Sequence, residues 1–240
     1  LRQAVYTHLL SGLPRHDLIH LSTIATDASS ALASALKPAR CYETPTHLKA
    51  PITPVTPTTD ETALIASYAS QIRRQLPKAL EAGAQPLPQA EPAQAYALFQ
   101  QAYARRGQQP RFNSHWFCEH FPALQAMGMA SLPGIVDASG RLVGALLLAE
   151  DPKTTYYMVS GIDREALEGH AGAFLIHTAL RYASNHGKIF DFNGSSIPSI
   201  NTFFEKFQGD PATVVHLKKA QTGRGTLAMQ LATLFKKPLI

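Results

Sequence analysis

The sequence predicts a mixed α/β fold of the α+β kind, with a mostly antiparallel sheet flanked by helices. Three observations carry that expectation. From residue 130 onward, apolar runs and turn residues follow the order β-β-β-α-β-α-β. The first strands are joined by short polar turns, Asp137–Arg141 (DASGR) and Asp151–Thr154, which suit hairpins. One long helical stretch, His170–Asn185, then separates two strand-like runs, as in a right-handed crossover between parallel neighbours. The chain has 240 residues, 45% of them hydrophobic, which is enough to bury a sizeable core and excludes a disordered chain.

Taken in order, His16–Ile24 is apolar and β-rich enough for a strand, and the Ala/Ser-rich Thr26–Leu36 suits a short helix. Residues 51–59 (PITPVTPTT) hold three prolines and four threonines, so an extended connection is expected there. Asp60 is a good N-cap for a helix over Asp60–Lys78 with Leu64, Ile65, Tyr68 and Ile72 on one face. Pro77 is expected to interrupt that helix, and Gly83 to stop any helical continuation beyond it. Glu91–Arg106 reads as a second helix with Tyr96, Leu98, Phe99 and Tyr103 inward. Ser114–Met127 reads as a third, with Trp116, Phe117 and Phe121 as core candidates.

Ala130–Val136, Leu142–Glu150 and Thr155–Ser160 read as strands, and Gly161–Gly169 as a polar loop. His170–Asn185 carries Phe174, Leu175, Thr178, Ala179 and Tyr182 on one stripe, with Gly187 as its stop. Lys188–Phe192 is a short strand, Ser199–Phe207 a helix, and Thr213–Lys218 a last strand. Thr226–Lys237 has Leu227, Leu231, Leu234 and Phe235 at helical spacing, an amphipathic helix.

The formal charge of +5 is local. The last thirty residues hold Lys218, Lys219, Arg224, Lys236 and Lys237 and no acid, and the rest of the chain is formally neutral. No apolar run is long enough to span a membrane. Cys41 and Cys118 are the only cysteines, which points to a reducing compartment. The chain begins at Leu1, and no signal-peptide pattern is visible. A cytoplasmic location is expected, and the basic C-terminal helix over 221–240 either docks on the body or touches the inner membrane at its periphery.

Several groupings could carry chemistry. His16 and His20 flank an acid, and His115, Cys118 and His120 lie within six residues, but neither has a regular zinc spacing. No metal is expected. Arg73, Arg74 and Lys78 form a basic step that could hold a phosphate or anionic carrier. In the loop Gly161–Gly172 (GIDREALEGHAG), the glycines permit tight backbone at a helix start, where free N–H groups could receive phosphate. The segment 190–209 (FDFNGSSIPSINTFFEKFQG) puts Asp191 and Asn193 on one strand face and Phe190 and Phe192 on the other. It then turns at Gly194-Ser195-Ser196 into a helix with Ile200, Phe203, Phe204 and Phe207 inward. Polar groups at a carboxyl strand end, opposite a helix start, are where α/β sites lie. The competing reading has Asp191 and Asn193 satisfying turn backbone only.

These residues resemble a family. The strand Tyr156-Tyr157-Met158-Val159-Ser160-Gly161 and the segment DFNGSSIPSINTFFEKF are similar to the GNAT-fold acyltransferases of the FemAB-like branch, as is the Arg73-Arg74-…-Lys78-Ala79-…-Gly83 run. The resemblance implies a GNAT-like domain over 60–220, with 1–59 the remnant of a first GNAT-like half. It implies transfer of an acyl or aminoacyl group from an acyl-CoA or an aminoacyl-tRNA to an amine, such as a cell-envelope or glycan precursor. tRNA is then a candidate partner. Gly169, His170, Ala171, Gly172 and Ala173 would receive the donor, although Ala166 stands where the family pattern has Gln or Arg.

The mechanism expected from this reading needs donors for an oxyanion and a path for the amine proton. The strand Tyr156–Ser160 would offer backbone N–H groups, with Tyr157 as acid. Asp191 would act as base or orient the acceptor, with Asn193 beside it. Ser195 and Ser196 would hydrogen-bond the acceptor. Arg73, Arg74 and Lys78 would bind substrate through a phosphate or anionic carrier, and any case for an anionic donor rests on such local groups. The alternative is a GNAT-fold binding module without catalysis.

Overall fold

A computed structural model describes residues 18–24, 41–44, 49–53, 60–193 and 197–220. The chain divides into two compact units, 1–49 with 212–240, and 50–211. In the first, β1 (Leu18–Ile24) and β2 (Cys41–Thr44) both pair antiparallel with β10 (Asp210–Ala220). The expected helices over Thr26–Leu36 and Thr226–Lys237 lie outside the described residues, as do the tail lysines Lys236 and Lys237.

The second unit carries the sheet that shapes the site. Its strands are β3 (Lys49–Thr53), β4 (Gln85–Leu87), β5 (Ala130–Ser131), β6 (Gly134–Val136), β7 (Leu142–Glu150), β8 (Thr154–Ile162) and β9 (Ile189–Asp191). Their order is β3-β9-β8-β7-β6-β4, with β5 also on β7. The pairs are antiparallel except β8 with β9, which are parallel. Pro51, Ile52 and Thr53 at the start of the expected connection therefore belong to a strand, and the rest of it, 54–59, lies outside the described residues.

The helices are α1 (Glu61–Ser67), α2 (Ser70–Glu81), α3 (Pro92–Ala104), α4 (Ser114–Ala126), α5 (Ala171–Asn185) and α6 (Pro198–Glu205). Asp60 caps α1, its carboxylate accepting from the Thr62 N–H at 3.2 Å. The expected single helix over Asp60–Lys78 is two. The chain turns extended at Tyr68 and Ala69 (ψ 156° and 147°) before α2 begins. Pro77 does not interrupt α2. Ile72, Leu76 and Ala79 bury one face on both sides of it, and that burial outweighs the lost hydrogen bond while the Pro77 ring faces solvent. Gly83, at φ +86°, ends the helix, and the Ala84 N–H closes on the Ala79 carbonyl.

Glu91 and Asn113 cap α3 and α4 by accepting from the Gln94 and Trp116 N–H groups at 2.8 Å each. Phe117 and Phe121 enter the core as expected, but Trp116 does not. It is 47% exposed and stacks on His120 along the outer face of α4. The expected strand Ala130–Val136 is broken at Leu132-Pro133. Proline has no N–H for the ladder, although its carbonyl still accepts from Leu146. The edge strand β4 has no alternating pattern and contains Pro86, so nothing in the sequence announces it. The turns at Asp137 and Asp151 form as expected, each carboxylate accepting from backbone N–H groups two or more residues on.

Helices lie on both faces of this sheet. One core joins α1, α2, α5 and α6 to Leu146 and Leu148 of β7 and to Phe190 and Phe192. The other joins α3 and α4 to Ala145, Val159 and Leu132 through Tyr96, Phe99, Phe117 and Phe121. Gly161 of β8 lies so close to α3 that a Cβ there would stand 2.3 Å from the Leu98 carbonyl carbon. The first core also encloses a polar group. His177 of α5, 5% exposed, bonds through Nε2 to Glu61 (3.1 Å) and through Nδ1 to the Tyr68 hydroxyl (3.2 Å), and Arg181 pairs with the same Glu61. Glu61 can only accept, so Nε2 carries the proton and bare Nδ1 accepts from Tyr68. Burial lowers the His177 pKa, against the pull of Glu61, so neutral imidazole is favoured.

Candidate active site

β8 has two unlike edges. Against β7 it pairs from Thr155 to Ile162, with a bulge at Met158, because Leu147 faces Val159 while Leu148 faces Tyr157. Against β9 it pairs only from Thr154 to Tyr156. β9 ends at Asp191, whereas β8 runs on to Ile162. Beyond Tyr156 the strand therefore opens from its parallel neighbour, and backbone groups on that edge have no strand partner among the described residues.

A cleft of about 680 Å³ fills this opening. Its walls are Tyr157–Ser160 and Ile162 of β8, the start of α5 (Gly172, Ala173, Leu175, Ile176), and Asn193 with Ile197, Ser199, Ile200, Phe203 and Phe204. Gln75 of α2 and Ala102, Tyr103, Arg105 and Arg106 at the end of α3 complete it, with Arg164 and Gly169. The expected loop over 161–169 is shorter, because β8 extends to Ile162 and a 3-10 turn spans Ala166–Gly169. Leu167, Glu168 and Gly169 all adopt left-handed backbone, with φ of 52°, 53° and 80°. Such a run is costly outside glycine and aims the chain sharply into α5. His170 occupies the N-cap of α5 but makes no capping bond, and its buried Nδ1 has no partner. The first N–H groups of α5 are those of Ala171, Gly172 and Ala173, the last two residues on the wall of the cleft, and they have no side-chain cap.

The structure brings some of the sequence-predicted residues together and separates others. Tyr157, Asn193, Gly169, Gly172 and Ala173 line the cleft. His170 and Ala171 sit at the head of α5, just outside the lining. Tyr157 packs edge-on to Phe204 and shares a 2.5 Å hydrogen bond with Ser160, and burial holds its phenol protonated by raising its pKa. Asp191 is buried behind the wall. Its carboxylate accepts the Asn193 N–H at 2.7 Å and fixes that residue at φ +55°, while burial raises its pKa. Phe192, expected on the face opposite Asp191, is buried like it.

Arg73, Arg74 and Lys78 project from the exposed face of α2 and do not line the cleft. Ser195 and Ser196 lie outside the described residues. The cations that do line it are Arg105, Arg106 and Arg164, which carry no motif in the sequence. The only signal for them is the place of Arg105 and Arg106 just past the apolar face of α3, next to Gly107.

Among the described residues, no group of three or more His, Cys, Asp and Glu side chains is arranged to hold a metal. No helix among them is long and apolar enough to cross a membrane.

An open-edged strand, a tight turn and an uncapped helix start meet at this one cleft. The family model for the acetyltransferase (GNAT) domain matches residues 66–197, more than half of the chain, and the chain belongs to that family. A search of curated proteins gave no match. Among solved structures, FemX superposes with a TM-score of 0.71 at 14% identity, over 96% of this chain and 79% of that one. The C-terminal domain of a putative lysylphosphatidylglycerol synthetase from Agrobacterium fabrum gives 0.55 at 15% identity, over 85% and 69%. A tandem GNAT protein from the clavulanic acid biosynthesis pathway gives 0.53 at 14% identity, over 91% and 69%. At these identities the likeness is one of fold.

Proposed function

We propose that this chain is an N-acyltransferase that moves an acyl group from an acyl-CoA to an amine. The observation that carries the reading is the opening of β8 from β9 beside the uncapped start of α5. The head of α5 and the left-handed turn would hold the donor pyrophosphate with backbone N–H groups, which need no matching side chain. That accounts for Ala166 standing where the family pattern has Gln or Arg. The open edge of β8 beyond Tyr156 would hydrogen-bond the acyl carbonyl and stabilise its oxygen as the amine attacks.

The attack forms a C–N bond and breaks the C–S bond, and the amine proton must leave. No Asp, Glu or His lines the cleft among the described residues, so water is the carrier we assign to that proton. Tyr157, kept protonated and tied to Ser160, is the acid for the departing thiolate. Asp191 holds the Asn193 turn at the cleft wall and acts through it, as a positioning residue. The acceptor is an amine, of which an envelope or glycan precursor is the class proposed. An aminoacyl-tRNA donor is the alternative to acyl-CoA.

The test is calorimetric binding of acetyl-CoA, followed by thiol release with a panel of primary amines. The wild type should bind, and Gly172→Val should lose at least about tenfold in affinity, or 1.4 kcal/mol. A Cβ at Gly172 meets the Ile162 side chain at an ordinary 3.4 Å, so the extra methyl groups project where the donor would lie. Equal binding by the two proteins would sink the donor assignment. Tight binding without turnover on any amine would favour the binding-module reading.

A further inference from the structure

The cleft is lined unevenly. Along α6 and its N-cap the wall is apolar: Ile197, Ile200, Phe203 and Phe204 border the space, and Tyr157 and Met158 of β8 continue the surface. Met158 is 49% exposed and Ile197 37%, while Ile200 and Phe203 are half-buried. A single exposed apolar side chain is ordinary on a protein surface, but several together on a concave wall mark a place for an apolar ligand. The wall is held from behind by ring contacts. Phe203 packs edge-on to Phe207 with centroids 5.4 Å apart, and Phe204 lies 5.1 Å from Tyr157 and 4.6 Å from Phe192. It also adjoins the head of α5, because the tip of the Phe203 ring is 3.9 Å from where a Cβ on Gly172 would stand.

The charge of the lining points the same way. Its charged side chains are the arginine wall of Arg105, Arg106 and Arg164, and no Asp or Glu lines the cleft among the described residues. Asp191, behind the wall, is engaged by the Asn193 N–H, and burial raises its pKa toward the neutral acid. An aminoacyl group carries an ammonium close to the carbonyl that is attacked. In this cleft that ammonium would meet guanidinium charges and no carboxylate, which disfavours it. A plain acyl chain has no charge to repel and gains by covering the α6 wall.

We infer that the acyl group taken by this cleft is an uncharged hydrocarbon chain longer than acetyl, lying along α6, with Ile197 and Ile200 setting its length. The inference rests on the reading of the chain as an acyl-CoA-dependent N-acyltransferase with its donor at the head of α5. It selects acyl-CoA over an aminoacyl donor. The transfer balances without a further reactant: the amine nitrogen bonds to the acyl carbon, the C–S bond breaks, and the proton lost by the amine is matched by the one that the CoA thiolate takes up.

The experiment titrates CoA, acetyl-CoA, butanoyl-CoA, octanoyl-CoA and β-alanyl-CoA into the full chain by calorimetry, with no amine present. Octanoyl-CoA should bind at least about tenfold more tightly than acetyl-CoA, since each further methylene has apolar wall to cover. Butanoyl-CoA and β-alanyl-CoA are the same length and differ in a terminal methyl against an ammonium, and butanoyl-CoA should bind at least about tenfold more tightly. Ile200→Trp fills the wall and should bring octanoyl-CoA to within about threefold of acetyl-CoA, with CoA itself unchanged. Ile197→Asn, at the exposed end of the wall, gives the same direction if Ile200→Trp is unstable. Three results would overturn the inference and leave the donor reading standing: octanoyl-CoA binding no more tightly than acetyl-CoA, β-alanyl-CoA matching butanoyl-CoA, or a chain preference untouched by both variants. A protein that binds neither CoA nor any of the thioesters would overturn the donor reading itself, and the inference with it.

Discussion

The two faces of the sheet are built on different terms. On the α3 and α4 face the contact is aromatic and close: Tyr96, Phe99, Phe112, Phe117 and Phe121 form a run of ring contacts, and Gly161 brings β8 against the α3 backbone. On the α5 face the packing admits polar groups, with His177, Glu61, Tyr68 and Arg181 bonded together inside it. That face also holds the left-handed turn and the uncapped helix start. One face fixes the strand, and the other leaves room for a ligand. The difference shows how a single strand can be rigid and reactive at once.

The largest effect should come from breaking the aromatic face. Phe121→Ala removes a side chain that is 1% exposed, and a loss of about 3–5 kcal/mol is expected from denaturant unfolding. Gly161→Val is next. Its Cβ would sit 2.3 Å from the Leu98 carbonyl carbon, so α3 must shift, at about 3 kcal/mol by the same measurement. A midpoint as high as the wild type's would show that α3 is not held by that contact.

On the polar face, removing His177 should cost about 1–3 kcal/mol, because Glu61 and Tyr68 each lose a partner. It should also change the pH response. The folded His177 pKa lies below its ordinary 6.5. At higher pH both states are neutral and nothing is lost. As pH falls below 6.5 the unfolded chain takes up a proton that the folded chain refuses, so stability declines until the folded pKa is passed. Melting temperature tracked from about pH 7.5 to about pH 5.5 should therefore fall more in the wild type than in His177→Gln. Parallel curves would remove His177 as the cause. The smallest effect is Trp116→Ala, within about 0.5 kcal/mol, since that ring lies on the outer face of α4.

Much of the fold was legible because local signals agreed with it. Asp60, Asn113 and the Asp137 and Asp151 turns announce themselves through side chains that bond their own backbone, and the helical stripe through Phe174 and Ala179 is buried as its period predicts. What failed did so where tertiary contact overrode a local rule. Pro77 sits inside α2 because Ile72 and Ala79 are anchored on both sides of it. Trp116 reads as core by hydrophobicity, yet it shares no helix face with Phe117 and Phe121.

In the site, the glycines and Tyr157 could be read from strand and turn pattern. The arginine wall could not. Arg105 and Arg106 reach the cleft only because α3 ends beside Ile162, a contact made across 57 residues of chain. Arg73 and Arg74 look more like a binding motif, but they are exposed and do not line the cleft.

The unequal edges of β8 also imply an order of assembly. Its edge toward β7 closes over residues 151–153, whereas its edge toward β9 must wait for the chain through 163–188, including all of α5. Longer loops cost more entropy to close, and pairing distant in sequence is slower. The β7–β8 hairpin should form early and the cleft last. Amide protons of the short β8–β9 ladder should then exchange ahead of those between β7 and β8, so that the part of the molecule that opens most readily is the part that receives substrate.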